Sequence, residues 1–486
     1  MVTAASRFIR NGFTAGDFIA TPRSAPDSLR RAALALGVAG YLGAAVLARP
    51  VGVTIRDEVD YYSESGAIAA GLPLADPGSY RPANGLVPFN GPRYPTGWPA
   101  VLSLFDGLAW PGPFAAGVLF HLAGAALFAL VLRRRGLDPA WALLYLAQPS
   151  LVVFSRTLMC EPLATFQTML LVLLADLEQP LLLGVVAGLS PLVKLSQLIV
   201  AAPFGLAWLA SRPRGKRLRA FALASLGGAL SLGVAAWANE RAYGSPLGFN
   251  GGPTYALLTA LPANYALGLA QLAVAWPLLP LGLWRARAAE AAGALALFVY
   301  LGLYGYHYAG PNLAATLVVG ARLHTSAIVL LLPGYAALLE SFAPRLRIAS
   351  LALVTVVAIA APPLLLRSVA ARRHELEATR DATFALLRPA CSVGYSPFAI
   401  KLFVPWPRFE AHSWNERALL AATLDARGCV DLVAPLTEPS TYQSPPTEAD
   451  PFAALERDFP SCVLERPGAL RLVRLAPRGE TPDCAR

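Results

Sequence analysis

Residues 32–48 read AALALGVAGYLGAAVLA, and residues 56–64 read RDEVDYYSE. The first stretch is apolar and long enough to cross a bilayer, which takes about 17–25 residues. The second sets Asp57, Glu58, Asp60 and Glu64 beside Tyr61 and Tyr62, directly beyond that span. A leader containing Arg7, Arg10, Arg23, Arg30 and Arg31 precedes the span. Val46-Leu47-Ala48 resembles a cleavage site, but a secretory signal lacks so long a polar leader. The run therefore reads as an uncleaved anchor. Basic residues favour the cytoplasmic side, so the acids fall on the outer side.

The rest of the chain agrees with a membrane protein. Its 486 residues are 56% hydrophobic and 14% charged, with a mean hydropathy of +0.50. Soluble domains carry roughly 45–50% apolar and about 25% charged residues. Disorder is excluded for most of the chain, because it needs low hydrophobicity. The net charge of +10 does not imply a nucleic-acid partner, and none is expected. Its basic residues are nearly all Arg, and they cluster at 133–135, 212–219, 285/287 and 345/347. Further apolar runs lie at about 113–132, 138–155, 162–177, 181–194, 196–211, 220–238, 266–284, 290–305, 324–340 and 347–366. With the first span running outward, every Arg cluster lands in a cytoplasmic loop. Reading 181–211 as a single span would put two clusters on the wrong side.

The expected fold class is an all-α polytopic membrane protein with about 11 transmembrane helices and a small extracytoplasmic α/β C-terminal domain. The membrane domain covers 1–367, with outer loops at 49–112 and 239–265, and the outer domain covers 368–486. The expected location is the cell (inner) membrane, multi-pass, with the N-terminus cytoplasmic. Within the outer domain, 391–404, 432–435 and 463–475 read as strands and 416–427 as an amphipathic helix. Cys391, Cys429, Cys462 and Cys484 make an even count in an oxidising compartment and suggest two disulfides. Of the three connectivities, sequential pairing (391 with 429, 462 with 484) is preferred, and the others stay open. No CxxC spacing suggests zinc. Cys160 reads as a packing residue.

Ionisable residues at membrane spans are candidate functional groups. The topology gathers them at the outer face. Asp57, Glu58, Asp60, Glu64 and Arg93 lie in the first outer loop. Arg156 and Glu161 flank a short outer turn, where they are expected to pair with each other. Lys194 ends the fifth helix, and His307, Arg322 and His324 lie before the tenth. Residues 56–70 should form a short helix stopped at Gly71-Leu72-Pro73. Spacing of three and four residues puts Asp57, Tyr61 and Glu64 on one face. The plain alternative is that the acids merely suit the helix dipole. Residues 100–110 are apolar but too short to span, and should lie along the membrane surface or dip into it.

In this order the signals resemble the GT-C superfamily of membrane glycosyltransferases, which includes the protein O-mannosyltransferases and the aminoarabinose lipid A transferases. Asp57-Glu58 with Tyr61-Tyr62 resembles the acidic motif after the first helix, and Gly71-Leu72-Pro73 the G-x-P that follows. Tyr94-Pro95-Thr96-Gly97-Trp98-Pro99 resembles Y-P-P-G-x-P, with Thr96 in place of the second Pro. Pro149, Arg156 and Glu161 resemble the P…R…E around the outer turn. Gly184, Gly188 and Lys194 resemble the G-x-x-x-G…K of the fifth helix. Asn239 with Gly244-Ser245-Pro246-Leu247 resembles an N…G-S-P-L loop, and Arg322 the basic residue before the tenth helix. The resemblance covers about 31–340. The C-terminal domain resembles no named family, and Val59-Asp60 departs from the commoner residues after the acidic pair.

The resemblance implies transfer of a sugar from a polyprenyl-phosphate carrier to an acceptor glycan, lipid or protein at the extracytoplasmic face. Asp57 would be the general base, with Glu58 in reserve. Arg93, Lys194 and Arg322 would stabilise the phosphate leaving group, unless they snorkel to headgroups. Tyr61, Tyr94, Arg156, Glu161 and His324 would support them, although His307 and His324 read better as interface residues. Asp57, Glu58 and Asp60 could hold a divalent cation, but no second ligand set is evident and no metal is expected. Two other readings stay open. A lipid-linked sugar transporter or flippase would more often show internal repeats and broken helices. A scaffold without activity would have little need of these charges.

Overall fold

The computed structural model describes residues 27–48, 53–71, 78–80, 87–89, 94–105, 107–108, 111–246, 261–304, 312–395, 402, 411–413, 417–435, 453–464 and 470–484. Among the described residues five helical stretches are long and apolar enough to cross a membrane: Ser28–Leu47, Gly112–Arg134, Arg214–Arg241, Leu313–Glu340 and Pro344–Leu386. Shorter apolar helices cover Pro180–Leu192, Gln197–Ala210 and Ala288–Leu303.

In chain order the helical part comprises α1 (Asp27–Leu47), α2 (Arg56–Ala69), α3 (Gly97–Ser103), α4 (Ala115–Arg134), α5 (Leu143–Leu146), α6 (Pro149–Phe154), α7 (Glu161–Asp176), α8 (Pro180–Leu189), α9 (Gln197–Ala210), α10 (Arg214–Tyr243), α11 (Leu261–Ala275), α12 (Ala288–Tyr304), α13 (Leu313–Val318), α14 (Thr325–Glu340) and α15 (Pro344–Leu386). The apolar run at 138–155 is not one helix. It splits into a 3₁₀ turn (Pro139–Ala142), α5 and α6. Pro149 lacks the N–H that would continue the helix, and Gln148 before it is extended, with ψ 120°. Residues 97–103 form α3, whose Trp98 and Leu102 are buried in the same apolar cluster as Val59, Tyr61 and Tyr62 of α2, and whose Pro99 is also buried. The Trp and Pro anchor this helix inside the protein.

One helix pair explains a sequence motif. A Cβ on Gly184 of α8 would collide with the backbone oxygen of Ala224 in α10, and one on Gly188 with Ser231 Oγ. The glycines let two backbones touch, as small residues do between membrane helices. Gly184→Leu should therefore cost about 3 kcal/mol, the top of the usual overpacking range. Thermal unfolding of the detergent-solubilised protein would show this as an earlier transition.

The Arg clusters meet acids at one end of the bundle. Arg135 grips Asp176 at 2.7 and 3.1 Å and also pairs with Glu290. Arg287 reaches Asp176 at 2.5 Å. Arg30 pairs with Asp138 at 2.8 Å, Arg212 with Glu178 at 2.6 Å and Arg347 with Glu340 at 3.0 Å. Asp176 ends α7, while Glu161 begins it at the opposite end.

The C-terminal part is a five-stranded mixed sheet. Its strands are β3 (Ser392–Tyr395), β4 (Ala411–Ser413), β5 (Val430–Pro435), β6 (Ser461–Val463) and β7 (Leu470–Leu475), in the order β4-β3-β5-β7-β6. A separate antiparallel pair, β1 (Gly78–Tyr80) and β2 (Val87–Phe89), lies between α2 and α3. β3 is parallel to β4 and β5, and β7 is antiparallel to β5 and β6. Alternate residues serve two cores, as the period of two requires. Val393, Tyr395, Val433, Leu470 and Leu472 join the cluster of α2 and α3. Val430, Leu432, Val473 and Leu475 pack with Leu420 and Leu424 of α16 (Arg417–Arg427). The stretch 463–475 contains the last residue of β6 and all of β7. α15 runs unbroken past residue 367 to Leu386, and the sheet follows it.

Cys391 is bonded to Cys429, and Cys462 to Cys484, with Cα separations of 5.0 and 6.3 Å. The first closes a 38-residue separation. Loop-closure entropy then gives it a worth of about 3–4 kcal/mol. The double variant Cys391→Ala/Cys429→Ala should lose that much from the C-terminal sheet, measurable as faster proteolysis of residues 390–430 while the membrane helices stay intact.

Candidate active site

α2 begins at an extended N-cap, Ile55, and ends before Gly71, whose φ of +67° is the left-handed stop that glycine tolerates. Asp57 and Glu58 occupy its first turn, where the helix dipole favours negative charge. Both are buried, and they face different partners. Glu58 Oε2 accepts from Thr54 N (2.6 Å), Thr54 Oγ1 (3.1 Å) and Ile55 N (2.9 Å). Glu58 Oε1 accepts from Leu158 N at 2.9 Å. Both oxygens are thus held, and Glu58 ties the start of α2 to the turn between α6 and α7. Asp57 Oδ2 instead accepts from Arg322 Nη1 at 3.3 Å, while Asp57 Oδ1 has no hydrogen-bond partner among the described residues.

Arg322 and His324 sit in a 3₁₀ turn, Gly320–His324, at the head of α14. Lys194 follows the 3₁₀ turn Ser190–Leu192 that ends α8. Its Nζ donates to Arg322 O at 3.3 Å and to Glu161 Oε1 at 3.4 Å. An ammonium has three donors, and the described residues engage two of them. Sequence separations of 265 and 128 residues are closed here. The structure brings together Asp57, Glu161, Lys194 and Arg322.

Tyr61 donates to Cys160 Sγ at 3.3 Å and stacks on Tyr94 with ring centroids 4.6 Å apart. Tyr94 N donates to Glu64 Oε1 at 3.4 Å. Burial holds the Tyr61 hydroxyl well above the usual tyrosine range and pushes the Cys160 thiol up to about 12. Neither group ionises near neutrality, so thiolate chemistry at Cys160 is not available. Thr96, the departure from the proline motif, donates its hydroxyl to Asn239 Oδ1 at 3.2 Å, and Asn239 Nδ2 donates to Pro246 O at 3.3 Å. Two motifs distant in sequence thus meet, and Thr96 supplies a donor that proline lacks.

The expected Arg156–Glu161 pair does not form. Glu161 pairs with Lys194, and Arg156 Nη2 donates to Ala48 O at 3.4 Å. The turn between them sends the two side chains in different directions. His324 is buried at 6% exposure, with its ring 6.1 Å from that of Phe298. Arg93 and His307 lie outside the described residues. Among the described residues no three His, Cys, Asp or Glu gather to hold a metal.

Arg373 of α15 was not among the residues expected here. It is 1% exposed, lies 4.9 Å above the Phe114 ring and donates from Nη2 to Arg156 O. The sequence around it, Arg372-Arg373-His374-Glu375, reads as a solvated face. The available signal is the seven-residue spacing that puts it on one stripe with buried Leu366 and Arg380.

No protein-family model matches the sequence, and no curated protein matches it either. Solved structures do match the fold. The apo structure of ArnT from Cupriavidus metallidurans aligns with a TM-score of 0.62 at 14% identity, over 92% of this chain and 98% of that one. ArnT from the same organism bound to undecaprenyl phosphate aligns with a TM-score of 0.58 at 13% identity, over 91% and 97%. Over nearly its whole length this chain therefore has the fold of ArnT.

Proposed function

We propose that this chain is an inverting glycosyltransferase of the cell membrane that moves a sugar from a polyprenyl-phosphate carrier to an acceptor at the extracytoplasmic face. The observation that carries the reading is the contact of Asp57 with Arg322, backed by Lys194, at one end of a GT-C fold. That fold is shared with ArnT, one structure of which holds undecaprenyl phosphate.

In the proposed reaction an acceptor O–H or N–H attacks the anomeric carbon from the face opposite the phosphate. Asp57 takes the proton through Oδ1. The bond from the anomeric carbon to the phosphate oxygen breaks, and its electron pair stays on the phosphate. Arg322 and Lys194 balance the charge that grows there. Fixed cations in a water-poor site do this well, and Arg suits phosphate oxygens. Arg93 of the first outer loop would join them. Residues 1–367 would form the membrane catalytic domain and 368–486 the outer domain.

The test is incubation of the purified protein with polyprenyl-phosphate-linked hexoses and pentoses, following release of polyprenyl phosphate. Release with transfer of the sugar supports the reading. Translocation of the intact lipid-linked sugar without release would identify a transporter instead and overturn it.

A further inference from the structure

We propose that Arg373 is a positioning residue for sugar transfer, tying the helix that carries the C-terminal sheet to the turn that holds the helix of Asp57. This rests on the glycosyl-transfer reading above.

Residues 155–161 form a hub. Tyr41 of α1 donates to Ser155 Oγ at 2.7 Å. Arg373 of α15 donates to Arg156 O. Trp98 of α3 donates to Leu158 O at 2.6 Å, and Leu158 N donates to Glu58 of α2. Tyr61 holds Cys160, and Glu161 holds Lys194. Displacing this turn therefore moves the start of α2, and Asp57 with it. It also moves the ion pair of Lys194. Arg373 makes the contact from α15.

Its chemistry argues against a packing role. Among the described residues Nε and Nη1 of Arg373 are buried without hydrogen-bond partners, and its charged neighbours are Glu58 and Arg156. A buried guanidinium costs several kcal/mol that an apolar side chain would not. The face of Phe114 compensates part of this through a cation–π contact. Leu or Met would fill the space more cheaply, so the charge and the donor are what the position uses. The far end of α15 is equally fixed. Arg474 grips Asp431 at 2.6 and 2.9 Å and donates to Leu386 O at 3.2 Å, while Arg388 N donates to Asp431 Oδ2 at 3.1 Å. Sheet, helix and hub make one continuous chain of contacts ending at Asp57.

The experiment compares full-length wild type, Arg373→Met and Arg373→Lys. Activity is measured with whichever polyprenyl-phosphate-linked hexose or pentose the wild type turns over fastest, and amide hydrogen exchange is followed at residues 54–58 and 155–161. The Met variant should lose about 10–100-fold in kcat, the scale of an ångström-sized misplacement. Its KM for the donor should stay within about twofold. Amide exchange of Ile55 and Leu158 should be about tenfold faster. Lys, which keeps a charge and a donor, should recover most of the kcat and the protection. If the Met variant does not accumulate, Arg373→Gln takes its place in the same comparison. Wild-type kcat or wild-type protection at Leu158 in the Met or Gln variant would overturn the proposal. Failure of wild type to transfer any sugar would refute the underlying reaction, and the exchange data would still decide the tie.

Discussion

Asp57→Asn is expected to slow sugar transfer by about 10²–10⁴-fold, the usual contribution of a positioned general base, in protein that folds like wild type. Asn keeps the shape of the side chain and an oxygen for Arg322 Nη1, now 3.3 Å from Asp57 Oδ2. It cannot take a proton from the acceptor. The loss should therefore fall on kcat in single-turnover release of polyprenyl phosphate, with donor binding little changed. A rate within about threefold of wild type, well short of what a base contributes, would remove Asp57 from the mechanism. Oδ1, unengaged by the described residues, is the atom on which that role depends.

Glu58→Ala should act through stability instead. It leaves Thr54 N, Thr54 Oγ1, Ile55 N and Leu158 N without their acceptor at a position 0% exposed. Buried orphaned donors cost about 1–3 kcal/mol each, and removing a buried charge from its partners about 3–5 kcal/mol. A loss of about 3–5 kcal/mol is the expected sum once water partly relaxes into the gap. Glu58→Gln keeps one acceptor oxygen and should lose about half of that. Thermal unfolding in detergent separates these variants from Asp57→Asn, which should unfold near wild type. If Glu58→Ala unfolds with wild type, the clamp is not what holds α2.

The two acids show what the sequence could and could not tell. Their place after the first span and ahead of Gly71 is written in local pattern, because a capped helix start and a left-handed stop are local events. Their division of labour is not. Adjacent helix residues point about 100° apart, and only the tertiary position of Leu158 N decides which one is locked. Lys194 and Arg322 were legible as charges at the ends of apolar runs. Their joining through a backbone carbonyl was not, since it depends on how two 3₁₀ turns meet. Arg156 and Glu161 misled because closeness in sequence suggested a pair that the turn directs apart. Arg373 escaped because a charged heptad position is indistinguishable, residue by residue, from a wet surface. The apolar runs placed helices well, yet they missed the break at Pro149, where one backbone position outweighs a run of apolar side chains.

The acidic and basic contacts around Asp176 have one more consequence. α7 is 16 residues long, about 24 Å at the usual helical rise, with Glu161 at one end and Asp176 at the other. Arg135, Arg287 and Glu290 bind segments on both sides of α7 into a knot at the Asp176 end. At the Glu161 end the carboxylate meets Lys194 at 3.4 Å, and the adjoining turn is held by Tyr41, Trp98, Glu58 and Arg373. α7 is thus fixed at both ends by different means: by paired charges at Asp176, and by hydrogen bonds to the turn that precedes it at Glu161.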